Sequence, residues 1–153
     1  MPETLPALRK TYVLPLPAEV AFRLFAEELG DWWPLESHSL SALEGKLPLS
    51  VRAEPRLGGR IVEIRHDAAE AEWGTFTAWD PVRRIAFDWY VGRERAQATQ
   101  VEVTFSQRGD ETVLGLVHSG FENLGPGAEA SLANYDEGWD LVLGERFLKA
   151  CGG

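Results

Sequence analysis

Only a few side chains of this sequence combine a chemically useful type with apolar surroundings, and His118 is the first of them. It shares strand parity with Leu114 and Leu116, so its imidazole is expected to point inward. An imidazole on an apolar face can bond a ligand carbonyl or move a proton near neutral pH. More often, such a histidine is satisfied by a nearby backbone group or carboxylate.

Glu63 is the second polar candidate, and it lies within the apolar run 61–64. If it faces a cavity, desolvation makes its carboxyl group a candidate acid or base. If it faces the other way, it is a solvated strand carboxylate that pairs with Arg52 or Arg65. Because the run is apolar on both sides of Glu63, strand parity does not decide its orientation, and the solvated carboxylate is the leading interpretation.

Aromatic residues offer a different chemistry, the binding of an apolar ring. For any single tryptophan, ordinary core packing is the expected role, but at least one or two of the set are expected to line a cavity. Trp89 and Trp139 are the first choices. The pair Trp32–Trp33 is either a lid at the pocket mouth or a plug that closes the core. The set comprises Trp32, Trp33, Trp73, Trp79, Trp89 and Trp139, with Phe87, Phe121 and Tyr135.

Sequence motifs for catalysis or metal binding are absent. His38, His66 and His118 are too widely spaced for a metal motif, although dispersed ligands are left open. The sequence has no G-x-S-x-G, P-loop or G-x-G-x-x-G pattern. No catalytic residue, metal ligand or cofactor is therefore predicted.

Length and charge narrow the classes of partner. The 153 residues fit one domain, 1–153, and the net charge of −9 disfavours nucleic acids and anionic membranes. No apolar run reaches the length of a membrane span, and Met1–Val20 lacks the pattern of a signal peptide. A single cysteine, Cys151, fits a reducing compartment, so a cytoplasmic location is expected.

Hydrophobic periodicity predicts a strand, a helix, five or six further strands and a long terminal helix. Period-two alternation marks the strands, and spacings of three and four mark the helices. This order favours an antiparallel sheet with helices packed on its one apolar face, an α+β domain. The predicted strands are 8–16, Val51–Arg56, Arg60–His66, Trp73–Trp79, Arg84–Val91, Thr99–Gln107 and Thr112–His118; the predicted helices are 17–29 and 128–150, with a loop or short helical piece over 31–50.

Several short motifs, in this order, resemble those of the helix-grip superfamily of START and Bet v 1-like proteins. The sequence is most similar to the branch named after the C-terminal domain of the Hsp90 ATPase activator Aha1. The resemblance implies a curved sheet of six or seven strands wrapped on the C-terminal helix, with an apolar cavity between them. The motifs are Glu54–Arg60 with Glu63, Trp73-Gly74, Trp79-Asp80-Pro81, Arg84–Trp89, Thr112–Phe121 and Gly138-Trp139 with Leu143.

Three functions follow from these observations. The leading hypothesis is a protein that binds a small apolar or amphipathic molecule between the sheet and the C-terminal helix. The second is a cyclase or hydrolase that uses His118 or Glu63 as acid or base. The third is an Hsp90-type chaperone-interaction domain, and a homodimer is also left open. The expected pocket residues are Trp89, Phe87, His118, Leu116, Trp139, Tyr135, Trp73 and Glu63.

Overall fold

Seven antiparallel strands form one curved sheet in the computed structural model, which describes residues 5–152. Strand order across the sheet is β1-β7-β6-β5-β4-β3-β2, so every neighbour except β1–β7 is also a neighbour along the chain. This arrangement confirms the predicted antiparallel sheet. The strands are β1 Leu8–Leu14, β2 Ser50–Ala53, β3 Arg60–Ile64, β4 Glu70–Asp80, β5 Arg84–Trp89, β6 Thr99–Arg108 and β7 Glu111–Ser119.

The alternation of β6 and β7 shows why the sheet has one buried face. Val101, Val103 and Phe105 are buried, whereas the residues between them are not. Leu114, Leu116 and His118 are buried in the same way on β7. The period of two therefore directs one set of side chains towards the helices and the other towards solvent.

Helices cover the buried face. Helix α1 (Ala18–Glu27) follows Pro17 at its N-cap, and a short helix α2 (Leu29–Trp32) comes next. The predicted single helix 17–29 is thus two helices, because the chain turns at Glu28, whose φ is −120°. The predicted loop 31–50 contains the end of α2 and a 3-10 turn at Ser41–Glu44.

The C-terminal helix, Ala128–Ala150, is α-helical except for a π-helical segment at Val142–Phe147. Its buried residues Trp139, Leu143 and Phe147 recur every four positions. In a regular α-helix, a spacing of four drifts about 40° per step around the axis. The wider π turn rotates successive residues in the opposite sense, so Trp139, Leu143 and Phe147 stay on the side of the helix that faces the sheet. With this helix gripped by the curved sheet, the helix-grip fold is confirmed.

Aromatic rings fill the end of the core at which α1 and the end of the C-terminal helix meet. Phe147 lies 4.6 Å from Trp32 and 5.4 Å from Phe25, measured between ring centroids. Phe22 packs edge-on against Phe105 at 5.4 Å. We call these five residues the aromatic plug. An enclosed void of only about 10 Å³ lies near it, lined in part by Phe25 and Phe87, which is about the space of a single water molecule.

Candidate ligand-binding cleft

An open cleft of about 440 Å³ lies beside the aromatic plug, and we call it the indole cleft. Its size falls in the range of small-molecule sites. One side is the segment 33–43, another is the turn 91–93 after β5, and the third is Tyr135 of the C-terminal helix. The lining residues are Trp33, Ser37, His38, Ser39, Leu40, Leu43, Trp73, Trp89, Val91, Gly92, Arg93 and Tyr135.

Three indoles form the base of this cleft beneath the segment 37–43. The ring centroid of Trp33 lies 5.4 Å from that of Trp73 and 5.9 Å from that of Trp89, and Trp73 and Trp89 are 5.8 Å apart. Each is at most 7% exposed. Gly74 allows the close approach of the strands here, because a Cβ at this position would lie 2.3 Å from the carbonyl oxygen of Asp88.

Glu63 holds one wall of the cleft in place. Its Oε1 accepts hydrogen bonds from the Leu40 amide at 2.8 Å and from Trp73 Nε1 at 3.0 Å. Its Oε2 accepts from the amide of Ser41 at 2.9 Å and from the Ser41 hydroxyl at 2.7 Å. The expectation of a solvated carboxylate is wrong: Glu63 is fully buried, and neither Arg52 nor Arg65 pairs with it within residues 5–152.

Ion pairs add to this attachment of the wall. Glu36 pairs with Arg146 of the C-terminal helix, and Glu44 pairs with Arg65 at the end of β3. The segment 33–43 therefore contacts both the sheet and the helix through polar groups. Hydrogen bonds and ion pairs therefore add to the apolar packing of Trp33 in holding this segment.

His118 lies behind the cleft, fully buried, in a chain of hydrogen bonds. Trp139 Nε1 donates to His118 Nδ1 at 3.0 Å, and an indole nitrogen can only donate. The imidazole proton is therefore on Nε2, which donates to Thr99 Oγ1 at 2.7 Å, and Thr99 donates to the Trp89 carbonyl oxygen at 3.3 Å. Burial lowers the pKa of His118 to about 3, so the ring is neutral at pH 7.

The polar groups around the cleft differ in whether they have hydrogen-bond partners. Trp89 Nε1 is buried and has no hydrogen-bond partner within residues 5–152. Arg93 Nη2 donates to Ser131 Oγ at 3.3 Å, which places the guanidinium against the C-terminal helix. Burial raises the pKa of Tyr135, whereas the Trp89 indole N–H and the Arg93 guanidinium oppose this rise.

His38 is a cleft residue that sequence reasoning did not select. Its Nδ1 lies 2.7 Å from Ser37 Oγ, and its backbone carbonyl accepts a hydrogen bond from Trp33 Nε1 at 2.7 Å. Burial lowers the pKa of His38. No periodic pattern could have indicated it, because it lies in an irregular segment that only the folded chain brings to the helix.

The eight predicted pocket residues fall into two groups. Trp73, Trp89 and Tyr135 line the indole cleft, and Phe87 lines the small void near the aromatic plug. Leu116, Trp139, His118 and Glu63 are buried behind these surfaces. Sequence reasoning therefore missed His38, Arg93 and the role of the segment 37–43. It left open whether Trp32–Trp33 forms a lid or a plug: Trp32 packs in the aromatic plug, and Trp33 belongs to the base of the indole cleft rather than to a lid.

Within residues 5–152, no three His, Cys, Asp or Glu side chains converge in a way that could hold a metal ion. None of the helices described combines the length and apolar character that crossing a membrane requires.

Comparison with known proteins places the chain and its fold in a family. Residues 15–152 match the family described as "Activator of Hsp90 ATPase homolog 1-like protein", so the chain belongs to this family. The family lies within the helix-grip superfamily that the sequence motifs indicated. No curated protein matches the chain.

Three solved structures illustrate the likeness. The anthrahydroquino-gamma-pyrone synthase Txn09, solved in complex with a ligand designated SUM, is 30% identical, with a TM-score of 0.65 over 97% of this chain and 99% of that one. An AHSA1-like protein of Rhizobium etli is 25% identical, with a TM-score of 0.63 over 100% and 85% of the two chains. The self-sacrificing resistance protein CalC of Micromonospora echinospora is 22% identical, with a TM-score of 0.67 over 95% and 94%; at this identity it supports the fold alone.

Proposed function

We propose that this protein binds a planar aromatic small molecule in the indole cleft. The observation that carries the proposal is the base of three mutually packed indoles, Trp33, Trp73 and Trp89, in an open cleft of about 440 Å³. Flat aromatic rings complement such a base through apolar contact and edge-to-face packing. The 30% identical synthase, whose name includes a fused aromatic pyrone, supports the same ligand class.

The volume of the cleft is adequate for a small aromatic ligand. Burial of roughly 200 Å² of apolar ligand surface contributes about 5 kcal/mol before the costs of association. We therefore expect modest affinity for simple aromatic probes, in the micromolar to millimolar range, and tighter binding for larger fused rings.

The test is isothermal titration calorimetry with 2-naphthoate and decanoate, which share a carboxylate but differ in planarity. We expect 2-naphthoate to bind at least about tenfold more tightly, equivalent to about 1.4 kcal/mol. Trp33→Leu should weaken naphthoate binding by about tenfold or more. The matched control is Trp79→Leu, the same substitution at a tryptophan that packs against Phe22 and Phe76, away from the cleft.

Two results would overturn the proposal. One is a folded protein that binds no planar probe. The other is an equal loss of naphthoate affinity in Trp33→Leu and Trp79→Leu, because binding would then not depend on the cleft. Circular dichroism of each variant shows whether the fold is intact before affinity is compared.

A cyclase-type enzyme is the second candidate, and His38 is the observation that favours it. Its imidazole lines the cleft, whereas the predicted acid–base residues His118 and Glu63 are buried behind it. His38 would accept the proton of a ligand hydroxyl while that oxygen adds to a conjugated carbon–carbon bond of the same molecule. The proton then returns to the ring-closed product, so the reaction is an isomerisation that needs no oxidant.

An ultraviolet absorbance assay tests this candidate with an ortho-hydroxyaryl enone. Cyclisation above the buffer rate that is lost in His38→Gln supports it. A rate equal to that of buffer, in a protein shown to bind the substrate, removes it and leaves the binding function. The chaperone partner and the homodimer stay predictions.

A further inference from the structure

We propose that the indole cleft recognises an acidic oxygen of its ligand, a carboxylate or phenolate on the planar ring, at a subsite formed by Trp89, Arg93 and Tyr135. This inference rests on the proposed function and specifies its ligand class. The subsite places hydrogen-bond donors and a cation together at the edge of an aromatic base.

The unpaired N–H of Trp89 is the first observation. Trp89 is 4% exposed, and its Nε1 has no acceptor within residues 5–152. Four other indoles in this part of the chain do have acceptors: Trp32 donates to Leu24 O, Trp33 to His38 O, Trp73 to Glu63 and Trp139 to His118. Buried polar groups in folded proteins nearly always have partners. Trp89 also lines the indole cleft, so the partner that we infer for this N–H is an acceptor on a bound ligand.

Arg93 supplies the charge. It follows β5 in the turn that includes Gly92, and its guanidinium reaches Ser131, one helical turn before Tyr135. Within residues 5–152, Arg93 forms no ion pair, and none of the cleft-lining residues is an aspartate or glutamate. The cleft is therefore locally positive, although the chain has a net charge of −9.

Tyr135 joins these two groups. The Trp89 N–H and the Arg93 guanidinium both act on its hydroxyl and stabilise negative charge there. Trp89 Nε1 and the Tyr135 hydroxyl nevertheless do not meet the geometry of a hydrogen bond. Trp89, Arg93 and Tyr135 all line the indole cleft, and an indole N–H, a guanidinium and a phenol hydroxyl are each donors to an anionic oxygen.

Charge selectivity follows from this set. An acidic oxygen gains both hydrogen bonds and charge attraction from Arg93. An uncharged amide oxygen can accept the same hydrogen bonds without the attraction between opposite charges, and an ammonium group meets Arg93 with like charge. At moderate ionic strength, acidic groups more than about 10 Å from the ligand are largely screened. The adjacent Arg93 guanidinium therefore determines whether the charge interaction with the ligand is attractive or repulsive.

The test compares 2-naphthoate, 2-naphthamide and 2-naphthylmethylamine, which share a ring system and differ in charge, by calorimetry at pH 7. We expect 2-naphthoate to bind about tenfold more tightly than 2-naphthamide, and the amine to bind most weakly. The preference should shrink at high salt. Arg93→Gln should abolish most of the preference and leave the affinity for 2-naphthamide within about twofold. A tenfold ratio corresponds to about 1.4 kcal/mol.

Arg95→Gln is the matched control, because Arg95 is also an exposed arginine near the cleft but pairs with Glu72 and does not line it. It should keep the preference for 2-naphthoate. Trp89→Phe retains a ring without the N–H, and should weaken 2-naphthoate and 2-naphthamide together, because both offer an oxygen acceptor.

The outcomes separate this inference from the proposed function. Equal affinity for 2-naphthoate and 2-naphthamide in the unmodified protein overturns the acidic-oxygen subsite and leaves aromatic binding intact. Equal effects of Arg93→Gln and Arg95→Gln overturn it as well, since overall charge would then explain the preference. If no naphthalene probe binds, the proposed function itself fails.

Discussion

Trp32 and Trp33 are adjacent in the chain, yet they belong to different regions of the molecule. Trp32 packs on Phe147 and Phe25 in the aromatic plug. Trp33 packs on Trp73 and Trp89 in the indole cleft. Both indole N–H groups are satisfied by backbone carbonyls, so hydrogen bonding does not distinguish them. The difference lies in what surrounds each ring.

The plug is sealed by apolar packing from helices at both ends of the chain. The cleft is instead bounded by an irregular segment that Glu63 and two ion pairs hold in place. Close apolar packing leaves no cavity for a ligand. A wall that is held by hydrogen bonds can instead border an open cleft. The plug therefore contributes stability, and the cleft carries the proposed function.

The largest expected effect is on the plug. Phe147 is fully buried, and Phe147→Ala should lower the free energy of unfolding by about 3–5 kcal/mol, measured by urea denaturation. Leu57→Ala, at a residue 64% exposed, serves as the control and should change it by less than about 0.5 kcal/mol.

The same variant shows whether the two regions are independent. Folded Phe147→Ala should bind 2-naphthoate within about twofold of the unmodified protein, because Phe147 does not line the cleft. An affinity loss as large as that of Trp33→Leu would mean that the plug and the cleft form one coupled unit.

A second substitution acts on the wall of the cleft. Glu63→Gln replaces a carboxylate that accepts four hydrogen bonds with an amide whose NH₂ group faces donors. We expect a loss of about 3 kcal/mol in the free energy of unfolding, since hydrogen bonds to charged groups are each worth about 1.5–3 kcal/mol. Unlike Phe147→Ala, it should also weaken 2-naphthoate binding, because the amides of Leu40 and Ser41 lose their anchor. Unchanged affinity would show that the wall is held by other contacts.

The sequence predicted the fold well because regular elements repeat their chemistry. Alternating residues such as Val101, Val103 and Phe105 indicate a strand face whatever packs on it. The stripe of the C-terminal helix was also recognisable, although its π-helical segment was not. Spacings of three and four are compatible with an ordinary α-helix, and only the packing of Trp139, Leu143 and Phe147 against the sheet selects the wider turn.

The cleft was only partly predictable. Trp89 shares strand parity with Ile85 and Phe87, so its inward orientation followed from alternation. Trp73 was selected only as an aromatic residue, and on its strand the buried residues Trp73 and Phe76 have opposite parity. His38 and Arg93 lie in an irregular segment and a turn, where no period applies, and long-range contacts bring them together. Glu63 illustrates the remaining difficulty: its flanking residues are apolar on both sides, and the amides that satisfy it come from positions 40 and 41, more than twenty residues earlier.

The smallest expected effect concerns His118, which lies behind the cleft and whose pKa changes when the chain folds. In the folded protein its pKa is about 3, against about 6.5 for an unperturbed histidine. Below pH 6.5 the unfolded chain therefore takes up a proton that the folded protein does not. Stability should fall by about 1.4 kcal/mol per pH unit from pH 6.5 towards 3, or about 2 kcal/mol at pH 5, from this residue alone.

His118→Gln isolates this contribution. A glutamine side chain can accept from Trp139 Nε1 through its oxygen and donate to Thr99 through its nitrogen, as the neutral imidazole does, but it cannot take up the proton. Urea denaturation at pH 7, 6 and 5 should show a shallower decline for this variant, while 2-naphthamide affinity in both folded proteins stays constant because His118 does not line the cleft. Parallel declines would mean that other groups cause the acid sensitivity, and a matching change in affinity would mean that His118 is coupled to the cleft through Trp139.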